Sequence, residues 1–572
     1  MKKEGRFTRM RLSALISNGL VLQRNKENYI WGSECEPGRE VSVTIEGKQV
    51  TGYADEAGRF KVTLPNVNAG GPYELKITAG DNSDTVTIKD VMCGDVFLLA
   101  GQSNIELPLC RCLDMYEEEI LNMNLPDIHY FEVVKEYAFD GPVDELYEGV
   151  WQQATQKDNI LLMSALGVFF ARFHQEKTGV PVGLIQTGVG GTHIESYLSE
   201  EHVISVGKLL REEALKRGED ISSCNCNKND SCKVCYEKQL AKYKDSAWVK
   251  QMAEEEVKKQ QDWSANLDGK DIGLKEHWEK KTSLFEEGEE VKYVTAPGRF
   301  TGTELEPHRG SVWLLKTVDI PRHWLDKEIR VYLGTLIDAD TTYVNGVKIG
   351  NTEYRYPPRR YRIPAGILHE GENTIVIRLI ANARTGGFVE EMPYYLSLGD
   401  EKISLEGKWQ YKIGGTSFDE TTGEYDQFEK YYEFEDITFL TWKPTAQYNR
   451  MVYPLRNLRF SSVLFYQGES NANHAWEYEY LMIDMVKCLR ELFNDDLAFG
   501  FVELPYFGGE DAPEDSTEWD DLRAAQERAA AKIDNCTIAD IYDLGFKNEL
   551  HPQTKKEAAK LLYDKMSELM GW

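Results

Sequence analysis

Long apolar runs are missing from this sequence. No segment approaches the roughly 20 consecutive apolar residues that cross a bilayer, so the expectation is a chain without a membrane span. Basic residues are outnumbered: 66 Lys and Arg stand against 95 Asp and Glu, a formal net charge of -29. Such a charge works against binding nucleic acid or an anionic membrane surface, and neither is expected as a partner. Cysteine is sparse, ten in 572 residues, which is no disulfide framework. Short repeats and low-complexity tracts are absent. The start, MKKEGRFTRMR followed by LSALISNGLVL, imitates a signal peptide. Ser13, Ser17, Asn18 and Gly19 break the apolar stretch, however, and no small-x-small cleavage site follows. The stretch reads instead as the first strands of the fold, and the expected location is the cytoplasm.

What is present divides by periodicity. The length exceeds one core and predicts about three or four domains. Residues 1–90 alternate apolar and polar in VSVTIEG, FKVTLP and YELKITA, between turn-formers such as Glu36-Pro37-Gly38 and Gly70-Gly71-Pro72. That pattern predicts a small β-sandwich. From residue 91 the pattern changes. DVFLLAG is a continuous apolar run, as in a buried parallel strand. A helix is predicted near 158–176 and a second buried strand in VPVGLIQTG. This α/β text spans 91–275 and resumes over 426–572, in SSVLFYQG, EYLMIDMVKCLRELF, LAFGFVELP and DLRAAQERAAAKI. Between them, 276–425 is hairpin-rich, with turns at Asn345-Gly346 and Gly371-Glu372-Asn373. The expectation is one parallel sheet flanked by helices, interrupted by an inserted β-sandwich of jelly-roll type.

Four short segments at predicted strand ends carry chemistry. Gly101-Gln102-Ser103-Asn104 follows DVFLLA, where α/β folds place ligands; the ordinary alternative for Ser103 is a helix N-cap. Gly188-Val189-Gly190-Gly191-Thr192 follows the next strand. Adjacent glycines let backbone N–H groups approach a substrate oxygen, although tight turns need glycine too. Tyr466-Gln467-Gly468-Glu469-Ser470-Asn471 offers amide donors and a carboxylate, or a polar capping loop. Glu549-Leu550-His551-Pro552 offers a histidine fixed by proline, suited to a general base.

Together these segments resemble the sialate O-acetylesterase family within the SGNH hydrolases, in GDVFLLAGQSN, GLIQTGVGGTHIES, LFYQGESNA and LHP. The N-terminal sandwich is similar to the family's in Val21-Leu22-Gln23-Arg24, Trp31-Gly32 and Gly70-Gly71-Pro72. The insert resembles the jelly-roll sugar-binding domain of β-galactosidase-like glycosidases, in Trp313, Asp338, Tyr343-Val344-Asn345-Gly346, Gly350 and Gly371-Glu372-Asn373. The resemblance implies an SGNH parallel sheet with Ser103 as nucleophile and His551 as its base. The oxyanion would rest on the Ser103 N–H, a glycine of the Gly190-Gly191 pair, and an amide of Gln467 or Asn471. It implies catalysis without a metal or organic cofactor. The sequence departs from the family at the third triad position, where Asn548 stands for the usual aspartate three residues before the histidine. Glu469 and Glu549 are equal candidates to orient His551, with Asp543 behind them and a backbone carbonyl as the remaining alternative.

Cys224, Cys226, Cys232 and Cys235 form C-x-C-x5-C-x2-C in a polar loop, a set that can hold a structural zinc. The expected substrate is an acetylated carbohydrate, with neutral plant oligosaccharides favoured over sialate by the charge of -29. The other readings are a sialate O-acetylesterase proper and a non-catalytic carbohydrate-binding protein on a hydrolase scaffold.

Overall fold

In a computed structural model, residues 9–80, 84–218, 236–306, 308–381, 386–419, 424–425, 439–508 and 517–572 are described. The chain divides into two units, one of Met1–Val249 with Phe439–Trp572 and one of Lys250–Thr438. The cysteine loop from Cys224 to Cys235 lies outside the described residues.

The first unit is organised by one long strand, β1 (Asp84–Gly101). Its first half alternates exposed and buried residues and pairs antiparallel with Gly70–Ala79. Its second half is continuously buried and forms the centre of a parallel sheet. The switch from TVTIK to VMCGDVFLLAG is thus the switch from a strand with one solvated face to one covered on both. The N-terminal strands form two sheets around β1's first half. One contains Arg11–Leu12, Tyr29–Ser33 and Phe60–Thr63; the other contains Glu40–Ile45, Lys48–Tyr53 and Gly70–Ala79. Ile30, Trp31, Val41, Val43 and Ile77 from both sheets share a core with the α/β part. Buried Asp95 fastens these pieces: it accepts from Gln23 Nε2 (3.1 Å), Arg24 Nη2 (2.7 Å) and His174 Nε2 (2.7 Å).

The sheet continues with β2 (Asn124–Glu132), β3 (Trp151–Thr155), β4 (Val182–Gln186), β5 (Ser462–Tyr466), β6 (Ala498–Val502) and β7 (Cys536–Ala539). The spatial order is β3-β2-β4-β1-β5-β6-β7; every pair is parallel except the edge pair β3–β2. From β1 the chain first builds outward to one side and later to the other. The topological switch therefore lies beside β1, the place where open α/β sheets take ligands. Among the helices are α1 (Ser103–Glu106), α2 (Ala165–Thr178), α3 (Glu200–Lys216), α4 (Ala475–Phe493), α5 (Glu518–Ala530) and α6 (Lys555–Met570). The helix read from residue 158 starts later. Asn159 takes a left-handed conformation, a single 3-10 turn follows at Ile160–Leu162, and Ser164 Oγ caps α2 by accepting from Gly167 N–H at 3.0 Å.

The second unit holds a six-stranded and a four-stranded antiparallel sheet that share one apolar core, including Val312, Leu314, Val331, Ile377, Leu396 and Trp409. Arg359 is fully buried there. The guanidinium donates to Asp340 Oδ1 (2.8 Å) and to the carbonyls of Asp338, Arg355 and Pro357. Among the described residues no helix is long and apolar enough to cross a membrane.

Candidate active site

Three adjacent strands, β4, β1 and β5, deliver three loops to one end of the parallel sheet. At the end of β1 the chain turns at Gly101 with φ +131°, and a side chain there would meet Tyr466 O at 2.1 Å. Only glycine fits that approach. Ser103 opens α1, whose cap position belongs to Gln102. The N-cap alternative for Ser103 is therefore not the arrangement found. Its Oγ lies 2.8 Å from His551 Nε2 instead. His551 arrives from the loop between β7 and α6. Burial, then the charges of Arg111 and Lys555, push His551 down to about 3, so the ring is neutral at physiological pH.

The residue after the serine ties the site together. Asn104 is fully buried. Its Nδ2 donates to Glu469 Oε1 at 2.5 Å and to Leu550 O at 3.1 Å, and its Oδ1 accepts from Lys555 Nζ at 2.8 Å. Lys555 Nζ also donates to Pro552 O at 2.7 Å. One side chain thus joins the serine turn, the Gln467–Asn471 loop, the histidine turn and the start of α6. Burial pushes the Glu469 carboxyl up to about 7, against the lowering effect of the Asn104 bond. Glu469 reaches Asn104, the residue after the serine, and through it the Leu550 carbonyl beside the histidine. Glu549 lies on the same turn as His551, where its N–H donates to Phe546 O at 3.4 Å, and its charge acts on Lys555. Asp543 lies on an exposed 3-10 turn, Tyr542–Leu544.

The expected oxyanion donors are distributed differently from the sequence reading. Gly190 is beside the serine: a methyl group on it would lie 3.5 Å from Ser103 Cβ and 3.3 Å from Glu106 Oε2. Its N–H donates to that Glu106 oxygen at 2.6 Å, while Lys135 holds the other carboxylate oxygen at 2.5 Å. Gly191 is the hinge of the loop, with φ +76° and the Trp442 ring against it. Trp442 Nε1 donates to Gly190 O at 2.6 Å. The amides of Gln467 and Asn471, read from sequence as oxyanion donors, serve as braces. Both side chains are fully buried. Gln467 Nε2 donates to Asn471 Oδ1 (2.7 Å) and Thr192 O (3.0 Å), and Asn471 Nδ2 donates to Glu195 Oε2 (3.0 Å). Their donors face protein acceptors because a buried amide in a dry loop cluster must be satisfied there.

Sequence reading passed over Asn104, Glu106 and Lys555. Lys555 carried a usable signal. In α6 the buried positions are 555, 558, 559, 562, 563 and 566, so this lysine stands on the apolar stripe of an amphipathic helix.

Comparison with known proteins bears on the part of the unit that carries Gln467–Asn471, His551 and Lys555. The family model for carbohydrate esterase, sialic acid-specific acetylesterase, matches residues 436–568. The chain is 29% identical over 217 residues to the sialate O-acetylesterase of Mus musculus, covering 34% of this chain and 39% of that protein. It is 27% identical over 211 residues to the sialate O-acetylesterase of Homo sapiens, covering 34% of this chain and 40% of that protein. The chain therefore spans about two fifths of the length of these curated relatives. A carbohydrate acetylesterase from Xanthomonas citri superposes over 98% of this chain and 75% of its own, with a TM-score of 0.54 at 18% identity. That likeness is one of fold.

Proposed function

We propose that the chain, whose residues 436–568 match the family model for carbohydrate esterase, sialic acid-specific acetylesterase, is a carboxylic ester hydrolase that removes acetyl groups from sugars. The observation that carries this reading is the 2.8 Å contact between Ser103 Oγ, after β1, and His551 Nε2, in the loop between β7 and α6. In this reading the sheet is of SGNH type and the unit Lys250–Thr438 is of jelly-roll type.

A neutral His551 takes the Ser103 proton as Oγ attacks the acetyl carbonyl. The carbonyl oxygen gains the negative charge and rests on the Ser103 N–H. The Gly190 N–H joins it once the Glu106 carboxylate gives way to the substrate. Each such donor is worth about 3–4 kcal/mol in the transition state. The imidazolium returns its proton to the departing sugar oxygen, leaving acetyl-Ser103. His551 next deprotonates a water, which attacks the acetyl carbonyl and releases acetate and free Ser103. Every step is carried by this chain's own residues and water, and a zinc on the Cys224–Cys235 loop would be structural.

The preferred substrates are neutral acetylated oligosaccharides of plant origin, hydrolysed in the cytoplasm after import. Two features favour them over sialate: the net charge of -29 and the Glu106 carboxylate that shares the small space beside Ser103. An anionic sugar would be repelled by both. The family's own description favours acetylated sialic acid as the second reading. Acetate release from acetylated xylo- and manno-oligosaccharides, measured beside O-acetyl sialic acid, separates the two. Release from neither, together with no turnover of an aryl acetate, would overturn the proposal and leave a carbohydrate-binding protein on a hydrolase scaffold.

A further inference from the structure

Lys555 is one of the most buried lysines in the described structure, at 1% exposure. Its two hydrogen bonds go to uncharged carbonyl oxygens, Asn104 Oδ1 at 2.8 Å and Pro552 O at 2.7 Å. Burying an ammonium in this way is costly unless the geometry it enforces is needed. The two acceptors identify that geometry. Asn104 directly follows the serine, and Pro552 directly follows the histidine. The lysine therefore bridges the two turns whose side chains must meet.

We propose that the Lys555 ammonium is the positioning residue of this site, holding the serine turn and the histidine turn in register so that Ser103 Oγ and His551 Nε2 stay in contact. The inference rests on the esterase reading above and adds a residue to it. The bridge is set from a rigid base. Lys555 is the first residue of α6, a helix of 16 residues packed on α2 and on β6 and β7. Asn104 is fixed in turn by Glu469 Oε1 and Leu550 O. A third contact, the Tyr466 ring 5.4 Å from Nζ, comes from the end of β5.

The charge itself supplies a readout that a purely structural side chain lacks. Burial pushes the Lys555 ammonium down to about 8; Cys112, Glu549 and Glu469 act against that, and Arg111 adds to it. Deprotonation weakens the bridge, since an amine has one proton fewer to give and no charge to strengthen its bonds. Wild-type turnover should therefore fall as pH rises through about 8. Arginine stays charged in this range.

The test is turnover of p-nitrophenyl acetate by the full chain from pH 6 to 10, with Ser103→Ala as the background. Lys555→Met should lower kcat about 100-fold, the usual cost of a misplaced reacting group, with KM changed less than about threefold. Lys555→Arg should keep kcat within about tenfold of wild type at pH 7 and lose the alkaline decline. Wild-type kcat in Lys555→Met would overturn the proposal, as would an alkaline decline that persists in Lys555→Arg. If Lys555→Met does not fold, judged by circular dichroism, the Lys555→Arg profile decides alone. A wild-type chain that turns over the ester while Ser103→Ala does not keeps the esterase reading intact whatever the lysine variants show. Absence of wild-type turnover defeats that reading first.

Discussion

The most buried cations among the described residues of the two units, Arg359 and Lys555, are held in opposite ways. Arg359 in the β-sandwich unit is fully buried, and its guanidinium meets a carboxylate, Asp340, and three backbone carbonyls. Its fork is satisfied by a fixed, planar set of acceptors, as structural arginines are. Lys555 in the α/β unit bonds two carbonyl oxygens, and burial pushes its pKa down to about 8. The arginine stabilises what surrounds it. The lysine is held at a cost, and what that cost maintains is the juxtaposition of Ser103 and His551. A buried charge paired with a full countercharge marks architecture; one bridging neutral groups beside a nucleophile marks chemistry.

The largest effect expected anywhere in the molecule separates chemistry from architecture outright. Ser103→Ala should lower ester turnover by about 10^6-fold without lowering the melting temperature, because Oγ supports no backbone cap. Near wild-type turnover would remove the nucleophile and with it the functional half of the comparison. Next in size is the architectural half. Asp340→Ala leaves the Arg359 charge buried without its carboxylate and should cost about 3–5 kcal/mol. Calorimetry of the full chain should show a transition lowered accordingly. An unchanged profile would mean that the backbone carbonyls alone satisfy Arg359.

The strand pattern, the serine segment and the histidine segment were legible because each is encoded locally. DVFLLAGQSN carries a buried strand, a glycine with no room for a side chain and the serine in ten residues. The change from alternating to continuous apolar text within β1 is visible in the letters themselves. The braces were not legible, because they are made by residues hundreds of positions apart. Gln467 and Asn471 looked like free donors, but they spend their amides on Thr192 and Glu195. Gly190 looked like an open N–H until Glu106, 84 positions earlier, was found on it. Spacing reveals which groups reach a site, whereas three-dimensional packing decides which of them are already bonded.

Glu469 sharpens the comparison from the acidic side. Burial pushes its carboxyl up to about 7, so it ionises near neutrality, and the ionised form is the better acceptor for Asn104 Nδ2. Activity should rise as pH increases through about 7. His551 is not the source of this rise, since burial has already pushed it down to about 3. Glu469→Gln should cost about 10-fold at pH 8 and abolish the acidic limb; Glu549→Gln should cost less. Equal losses from both, with the limb retained in Glu469→Gln, would detach the acidic limb from Glu469.

The smallest effect expected is the stability of Lys555→Met, and its sign distinguishes the two cations most directly. The folded ammonium titrates near 8, below the ordinary lysine value of 10.5. The unfolded chain therefore binds more protons than the folded chain between those two values, so wild-type stability rises with pH across that window and is lowest below it. Methionine removes the buried charge but leaves two carbonyl acceptors, Asn104 Oδ1 and Pro552 O, without this donor. These terms oppose one another, and at pH 7 the net change should lie within about 1 kcal/mol. As pH rises from about 8 toward 10.5, wild type should gain on Lys555→Met, because only wild type escapes the cost of its charge. Thermal melting of both proteins at pH 7 and pH 9.5 reads this directly. A loss of several kcal/mol at pH 7 in Lys555→Met, comparable to that of Asp340→Ala, would show that Lys555 is architectural in the same sense as Arg359.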